Sequence, residues 1–269
     1  MGNLGVRMKR YEEVATSSVL MPRLPICARV DGRCFHNFCK HMAKPFSPHM
    51  EQAMAATAKH LLGDLNAVVV HTFSDEINII LHAEGEHAEL PFGGKIFKLN
   101  SVIASIATAF FNKFDIWDCP PRRATFDCRV WQVPSKEEAV NYLIWREQDA
   151  ARNSISMVAQ AHYSHKELHK KSSKDMHEML HMKGINWNDM TRERKRGIYF
   201  VKRVEYRELS KDECDRIPEK HRPTIGQKFP RVVIKDPEWP RLTSIANRVG
   251  VIFGKEEVIL DRTTPSIEI

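Results

Sequence analysis

Long apolar runs are missing from this chain of 269 residues. The longest, Val102 to Phe111, is about half of what a bilayer span needs and contains Ser105 and Thr108, so no membrane insertion is expected. Repeats and low-complexity segments are also missing, and the 12 glycines and 14 prolines are spread out rather than clustered, which excludes a fibrous or disordered chain. Cysteine is sparse. Cys27, Cys34, Cys39, Cys119, Cys128 and Cys214 form no CxxC and sit in no secretory context, so reduced thiols are expected. Cys34, His36, Cys39 and His41 are spaced more tightly than structural zinc motifs. Met1 to Val6 lacks the Ser or Thr that myristoylation wants at position 6, and no apolar stretch follows Lys9-Arg10, so a cytoplasmic protein is expected. Gly93-Gly94-Lys95 is too short for a P-loop and reads as a loop before a helix.

What is present is an ordinary globular composition, 42% hydrophobic and 28% charged, in a length that suits one large domain or a core with an extension. The net charge of +7 is unevenly placed. Between Ala161 and Arg203 there are 11 Lys and Arg against 5 Asp and Glu, together with five histidines. Such a stretch is either a phosphate-binding patch, as for RNA, or a solvated helical face.

Leu24 to Val30 reads as a buried strand closed by Asp31-Gly32. Ser47-Pro48 caps a helix whose apolar residues recur through Met50, Met54, Ala55, Leu61 and Leu62, with Gly63 as its stop. Ala67 to Phe73 and Ile77 to His82 are the arms of a hairpin around Ser74-Asp75-Glu76. A helix over Leu99 to Phe111 and a strand over Ala124 to Val130 follow. The order is βαββαβ, the α+β ferredoxin-like arrangement, in which the third strand lies antiparallel beside the first. Asp31 and Asp75 are therefore expected to meet. After Pro134 the pattern turns helical, with capping boxes at Ser135 and Ser164 and a cap at Ser173 for a helix that Gly184 ends. Ile198 to Val204 and Arg231 to Ile234 read as strands in a loop-rich tail. Residues 1–134 are taken as a catalytic core and 135–269 as a helical, basic accessory region packed on it.

Two carboxylates at neighbouring strand ends, one followed by a glycine and the other by Glu76, can hold a pair of magnesium ions for in-line phosphoryl displacement. Position alone also allows a plain turn and a plain hairpin tip. His162, His165 and His169, and His177 with His181, have metal-compatible spacing but no interleaved carboxylate, which favours an exposed face or RNA contact. Trp131, Trp145, Trp187 and Trp239 can stack on bases or fill cores.

The wording of the motifs adds to this. Arg29-Val30-Asp31-Gly32-Arg33-Cys34-Phe35-His36, Lys44-Pro45 and Phe73-Ser74-Asp75-Glu76-Ile77-Asn78 closely resemble the tRNA-histidine guanylyltransferase family of 3′-to-5′ nucleotidyl polymerases. The resemblance continues in Lys98 to Ser105, Phe126 to Val130 and Trp145 to Asp149, covering about residues 10 to 205 in order. It implies a polymerase-palm core in which Asp31, Asp75 and the Gly32 carbonyl hold two Mg2+ ions and Glu76 supports the site. It further implies that Phe35, His36, Ser74, Lys44, Lys98 and Ser101 face a nucleoside triphosphate or the activated RNA end, with Arg29 beside them. ATP and GTP are the implied substrates, tRNA the partner, and a dimer or tetramer the assembly. Lys170, Lys171, Arg192, Arg194, Lys195 and Arg196 are the candidate RNA contacts in the basic stretch.

Three departures narrow the reading. The eukaryotic His-Ile-Asn-Asn-Leu-Tyr-Asn run is here Ala151 to Met157, Lys-Pro-Asn-Asp is Lys44-Pro45-Phe46-Ser47, and Lys-Asn-Glu is Lys195-Arg196-Gly197. These resemble the bacterial and archaeal-type members, which implies template-dependent repair of tRNA 5′ ends, with dedicated guanine addition to histidine tRNA as the alternative. A palm-domain nucleotide cyclase and a passive RNA-binding module are the competing classes. The basic half favours a polynucleotide over the cyclase, and the Asp31/Asp75 pairing favours catalysis over passive binding.

Overall fold

Alternation along β1 (Ile26–Gly32) decides which side of the sheet each residue meets. Ile26, Ala28 and Val30 join one apolar cluster with Ile77, Ile79 and Leu81 of β3 (Glu76–Leu81), while Cys27 and Ile80 join a second cluster on the opposite face. A sheet buried on both faces needs helices on both, and the chain supplies them. The computed structural model describes residues 3–84, 89–114, 123–224 and 226–261; Met1, Gly2 and Cys119 lie outside these.

The first face is covered by α3 (Pro48–Asp64) and α4 (Ile96–Phe111). Two further helices precede α3: α1 (Leu4–Thr16), with no buried residue, and the single turn α2 (Phe35–Phe38). The hydroxyl of Ser47 accepts the Met50 amide at 3.5 Å and Pro48 fills the first turn, as the sequence implies. Gly63 is not the stop. The helix runs on to Asp64, and the reversal is made at Asn66, φ +51°, because asparagine tolerates the left-handed region. β2 (Val69–Phe73) and β3 are joined by only two residues, Ser74 and Asp75, with Phe73 paired to Glu76. Glu76 therefore belongs to the strand rather than the turn. With β4 (Phe126–Gln132), the order β4-β1-β3-β2 is the antiparallel ferredoxin-like sheet.

The second face is covered by α5 (Lys136–His162), capped by Ser135, whose hydroxyl accepts the Glu138 amide at 3.2 Å. Short helices α6 (His165–Leu168), α7 (Ser173–Met182) and α8 (Arg192–Arg196) follow, and Trp187 and Leu180 close a third cluster against Ile155, Val158 and Ala159. The cap of α7 is Ser172, not Ser173. Its hydroxyl accepts the Asp175 amide at 3.2 Å while the Asp175 carboxylate accepts the Ser172 amide at 2.8 Å, and only Ser172 has an acid three residues on to close that box. β5 (Ile198–Glu208) then pairs with β2, and after α9 (Lys211–Asp215) β6 (Lys228–Lys235) pairs with β5. One six-stranded sheet, β4-β1-β3-β2-β5-β6, thus runs across the division at residue 134. Among the described residues no helix is long and apolar enough to cross a membrane.

Candidate active site

The end of β1 and the β2–β3 turn are tied together by the Gly32 amide, which donates to the Asp75 carbonyl at 3.1 Å. The register sets Asp31 opposite Glu76 on one side and opposite Asp127 on the other, so three carboxylates cross one face of the sheet in a row beside Asp75. Asp31 and Asp75 meet as topology requires, and among the described residues neither is in an ion pair. Burial, reinforced by the charges of Asp31 and Glu76, pushes the Asp75 carboxyl up to about 6 against its own backbone and the Ser74 hydroxyl. Gly32 is needed for packing: a Cβ there would lie 2.4 Å from the Phe35 ring.

Glu76 has a different status. Arg146 of α5 grips it with two bonds, Nε to Oε1 at 2.7 Å and Nη2 to Oε2 at 2.8 Å, and Asn78 Nδ2 donates to Oε1 at 2.8 Å. Arg146 also bonds Asp149 at 2.7 Å, and the Tyr142 hydroxyl donates to Asn78 Oδ1 at 2.5 Å. Tyr142, Arg146 and Asp149 are spaced i, i+4, i+7, one face of a helix, so the motif Trp145 to Asp149 already held the signal for this clamp. Arg29 lies on the same face, its Nε 4.0 Å from Glu76 Oε2. A carboxylate this heavily satisfied anchors the site.

A cavity of about 820 Å³ opens beside Asp75 and is lined by Phe35, His36, Lys44 and Ser74 among others. Five of the residues singled out from sequence are therefore together, although the Phe35 ring is itself committed to the core, 5.0 Å from Phe126 and 5.8 Å from Phe111. Ser74 donates to Asp75 Oδ1 at 3.1 Å. A family model described as tRNA(His) guanylyltransferase matches residues 5–134. The chain is 37% identical to the solved structure of a bacterial tRNA(His) guanylyltransferase-like protein in complex with ATP, over 90% of this chain and 94% of that one, with a TM-score of 0.74.

The chain belongs to the tRNA(His) guanylyltransferase family.

As a member of that family it is an enzyme, a 3′-to-5′ nucleotidyltransferase. A bacterial tRNA(His) guanylyltransferase-like protein in complex with GTP is 35% identical over 89% of this chain and 94% of its own, with a TM-score of 0.69. The tRNA(His) guanylyltransferase of Debaryomyces hansenii is 24% identical over 87% of this chain and 96% of its own length.

Two of the expected guanylyltransferase residues are not at the carboxylates. Lys98 and Ser101 lie in the first turns of α4, whose start is bound to Ser18 and Leu20, whereas its far end bonds to Ala124 just before β4 meets Gly32. Lys98 and Ser101 stand 13 and 10 positions before Phe111, which sets them about 20 and 15 Å along the helix axis away from that end. Arg29 faces α5 and does not line the cavity.

The basic stretch is also partly spent within the protein. Arg192 pairs with Asp236, Arg194 makes two bonds to Glu51 at 3.0 and 3.1 Å, and Arg196 pairs with Glu147 at 2.9 Å. These three arginines, expected as candidate RNA contacts, brace α8 to its surroundings through carboxylates of the protein. Lys195 is half-buried and donates to the Asn188 carbonyl at 2.8 Å, whereas Lys170 and Lys171 are exposed. Trp187 and Trp239 are core residues, whereas Trp145 is half exposed.

Proposed function

We propose that this enzyme adds nucleotides to the 5′ end of a tRNA by copying the opposite strand, after ATP activates a 5′-monophosphate end. The observation that carries the reading is the pair Asp31 and Asp75, unneutralised by any cation of the described residues and set beside a cavity of nucleotide size. Their oxygens and the Gly32 carbonyl are hard donors with excess negative charge, a set that fits Mg2+. When bound there, two such ions lower the pKa of an attacking hydroxyl and stabilise departing pyrophosphate.

The chain's own residues do the holding. Lys44 supplies positive charge to the triphosphate in the cavity, His36 and Ser74 supply polar contacts at its wall, and the Arg146 clamp fixes Glu76 and offsets its charge beside the two aspartates. In activation an oxygen of the RNA 5′-phosphate displaces pyrophosphate from the α-phosphorus of ATP; the incoming nucleotide's 3′-hydroxyl then attacks the RNA-side phosphorus of the resulting anhydride, AMP leaves, and the hydroxyl proton passes to solvent. Two observations support copying over anticodon reading. The bacterial relatives solved with ATP and with GTP are the more similar ones. Within the Ala151 to Met157 stretch the middle is turned to packing: Ile155 is buried, and Ser154 donates to the Arg194 carbonyl at 2.6 Å and accepts the Trp187 indole at 2.9 Å, leaving Arg152 and Asn153 exposed.

The test uses end-labelled, 5′-truncated tRNAs carrying each of the four bases opposite the missing nucleotide. The added nucleotide should change with the opposing base and ignore the anticodon, and Asp31→Ala or Asp75→Ala should abolish addition. Guanosine added regardless of the opposing base, and only to histidine tRNA, would return the guanine-addition reading.

A further inference from the structure

A transfer site at Asp31 and Asp75 has to hold two substrates, and the cavity described above accounts for one. It lies on the side of α3, β2 and α8. On the other side of the carboxylates is β4, the terminal strand of the sheet. Trp131 of β4 packs against the cluster beneath α5, so alternation puts Arg129 and Asp127 on that same face. There α5 spends its inward side chains on β1 and β3, through Tyr142 and Arg146. The result is a shelf with β4 as its floor and the flank of α5 as its wall.

Two features of the shelf call for a ligand. Trp145, on the wall, is 50% exposed, whereas Trp187 and Trp239 are 1% and 5% exposed. The Arg146 guanidinium sits over its ring at 4.5 Å and Tyr142 lies 6.3 Å away, so the indole is held in place and backed by charge while half its surface remains open. On the floor, Arg129 is directly opposite Arg29 in the register, a like-charge pairing that destabilises a sheet unless something neutralises it. Arg129 reaches Asp127 only at 3.8 Å with its side chain 57% exposed, and Arg29 Nε is buried without a hydrogen-bond partner. This arginine row is two residues along the strands from the Asp31–Asp127 row, about 7 Å.

We propose that this shelf binds the end of the RNA strand that receives the nucleotide, with Trp145 as a stacking platform for a base and Arg129 as a phosphate contact. A held aromatic face beside a cation is the combination that binds single-stranded nucleic acid without reading its sequence. That suits an enzyme whose base choice comes from a template, and the inference rests on that reading of the function. The carboxylates then lie between the triphosphate cavity and the RNA end, as an in-line displacement needs.

The test measures binding of a 5′-monophosphorylated tRNA lacking its first nucleotide to the full chain, without triphosphate or metal, and binding of ATP separately. Trp145→Ala should weaken RNA binding about ten- to a hundredfold, the loss of one stacked base, and Trp145→Phe by less than about threefold. Arg129→Gln should weaken it too and reduce the slope of log K against log salt by about 1. ATP binding should stay unchanged in all three. Unchanged RNA affinity in Trp145→Ala or in Arg129→Gln overturns the proposal, as does a parallel loss of ATP affinity, which would mark a packing role. A shelf that docks a second copy would instead show altered sedimentation of Trp145→Ala with intact RNA affinity, which also overturns it. Base-independent addition of guanosine would overturn the templated reading while leaving these binding results to decide the shelf.

Discussion

Replacing Arg146 with Met tests the clamp on Glu76 directly, because the aliphatic stem is kept and the guanidinium is lost. Breaking a buried ion pair from one side costs about 3–5 kcal/mol, since the other charge stays buried. Here Glu76 keeps its bond from Asn78 at 2.8 Å and the Arg29 charge at 4.0 Å, and its side chain is 18% exposed. These remaining partners and the partial exposure bring the loss to or just below the bottom of that range, about 2–3 kcal/mol. With a urea dependence of about 3 kcal/mol per molar, the unfolding midpoint should fall by about 0.7–1 M. Adding Glu76→Gln removes the stranded charge, so the double variant should recover about 2 kcal/mol relative to the sum of the single losses. A midpoint shift below about 0.2 M, or losses that simply add, would refute the claim that Arg146 exists to neutralise Glu76.

The same assignment separates the acids by function: Glu76→Gln should keep measurable nucleotide addition, while Asp31→Asn and Asp75→Asn should lose it, and equal losses in all three would contradict the division of roles. His71 is buried, its Nε2 donating to the Arg196 carbonyl at 2.7 Å, and burial pulls its pKa down to about 4. The unfolded chain then binds the proton first, so stability is present above the ordinary value near 6.5 and is lost as pH falls toward 4, by about 2 kcal/mol between pH 7 and pH 5. His71→Gln should flatten that slope in urea unfolding at the two pH values, and an unchanged slope would show that another group sets it. Burial pushes the Cys27 and Cys128 thiols up to about 12, whereas Cys34 is exposed. Iodoacetamide at pH 8 should therefore label Cys34 first and reach the other two only on unfolding, as peptide mapping would report.

What the sequence by itself determined is what depends on neighbours along the chain or on simple topology. Alternation marks β1 and β3, Ser47-Pro48 starts α3, and the order βαββαβ brings the end of β1 to the turn before β3, and so Asp31 to Asp75, with a one-residue slip excluded because it would turn Ile26, Ala28 and Val30 out of the core. Tertiary structure decided the rest, for a physical reason visible in the arginines. A run such as Arg192 to Arg196 declares charge, but whether a guanidinium meets a phosphate or a carboxylate depends on what folds beside it, and for Arg196 that is Glu147, 49 residues away. Lys98 shows the same limit: its helix was legible, yet which end of the sheet it occupies follows from where α4 is tied, to Ser18 at its start and Ala124 at its end. The local pattern sets what each residue can offer, and packing between distant segments sets to whom it is offered.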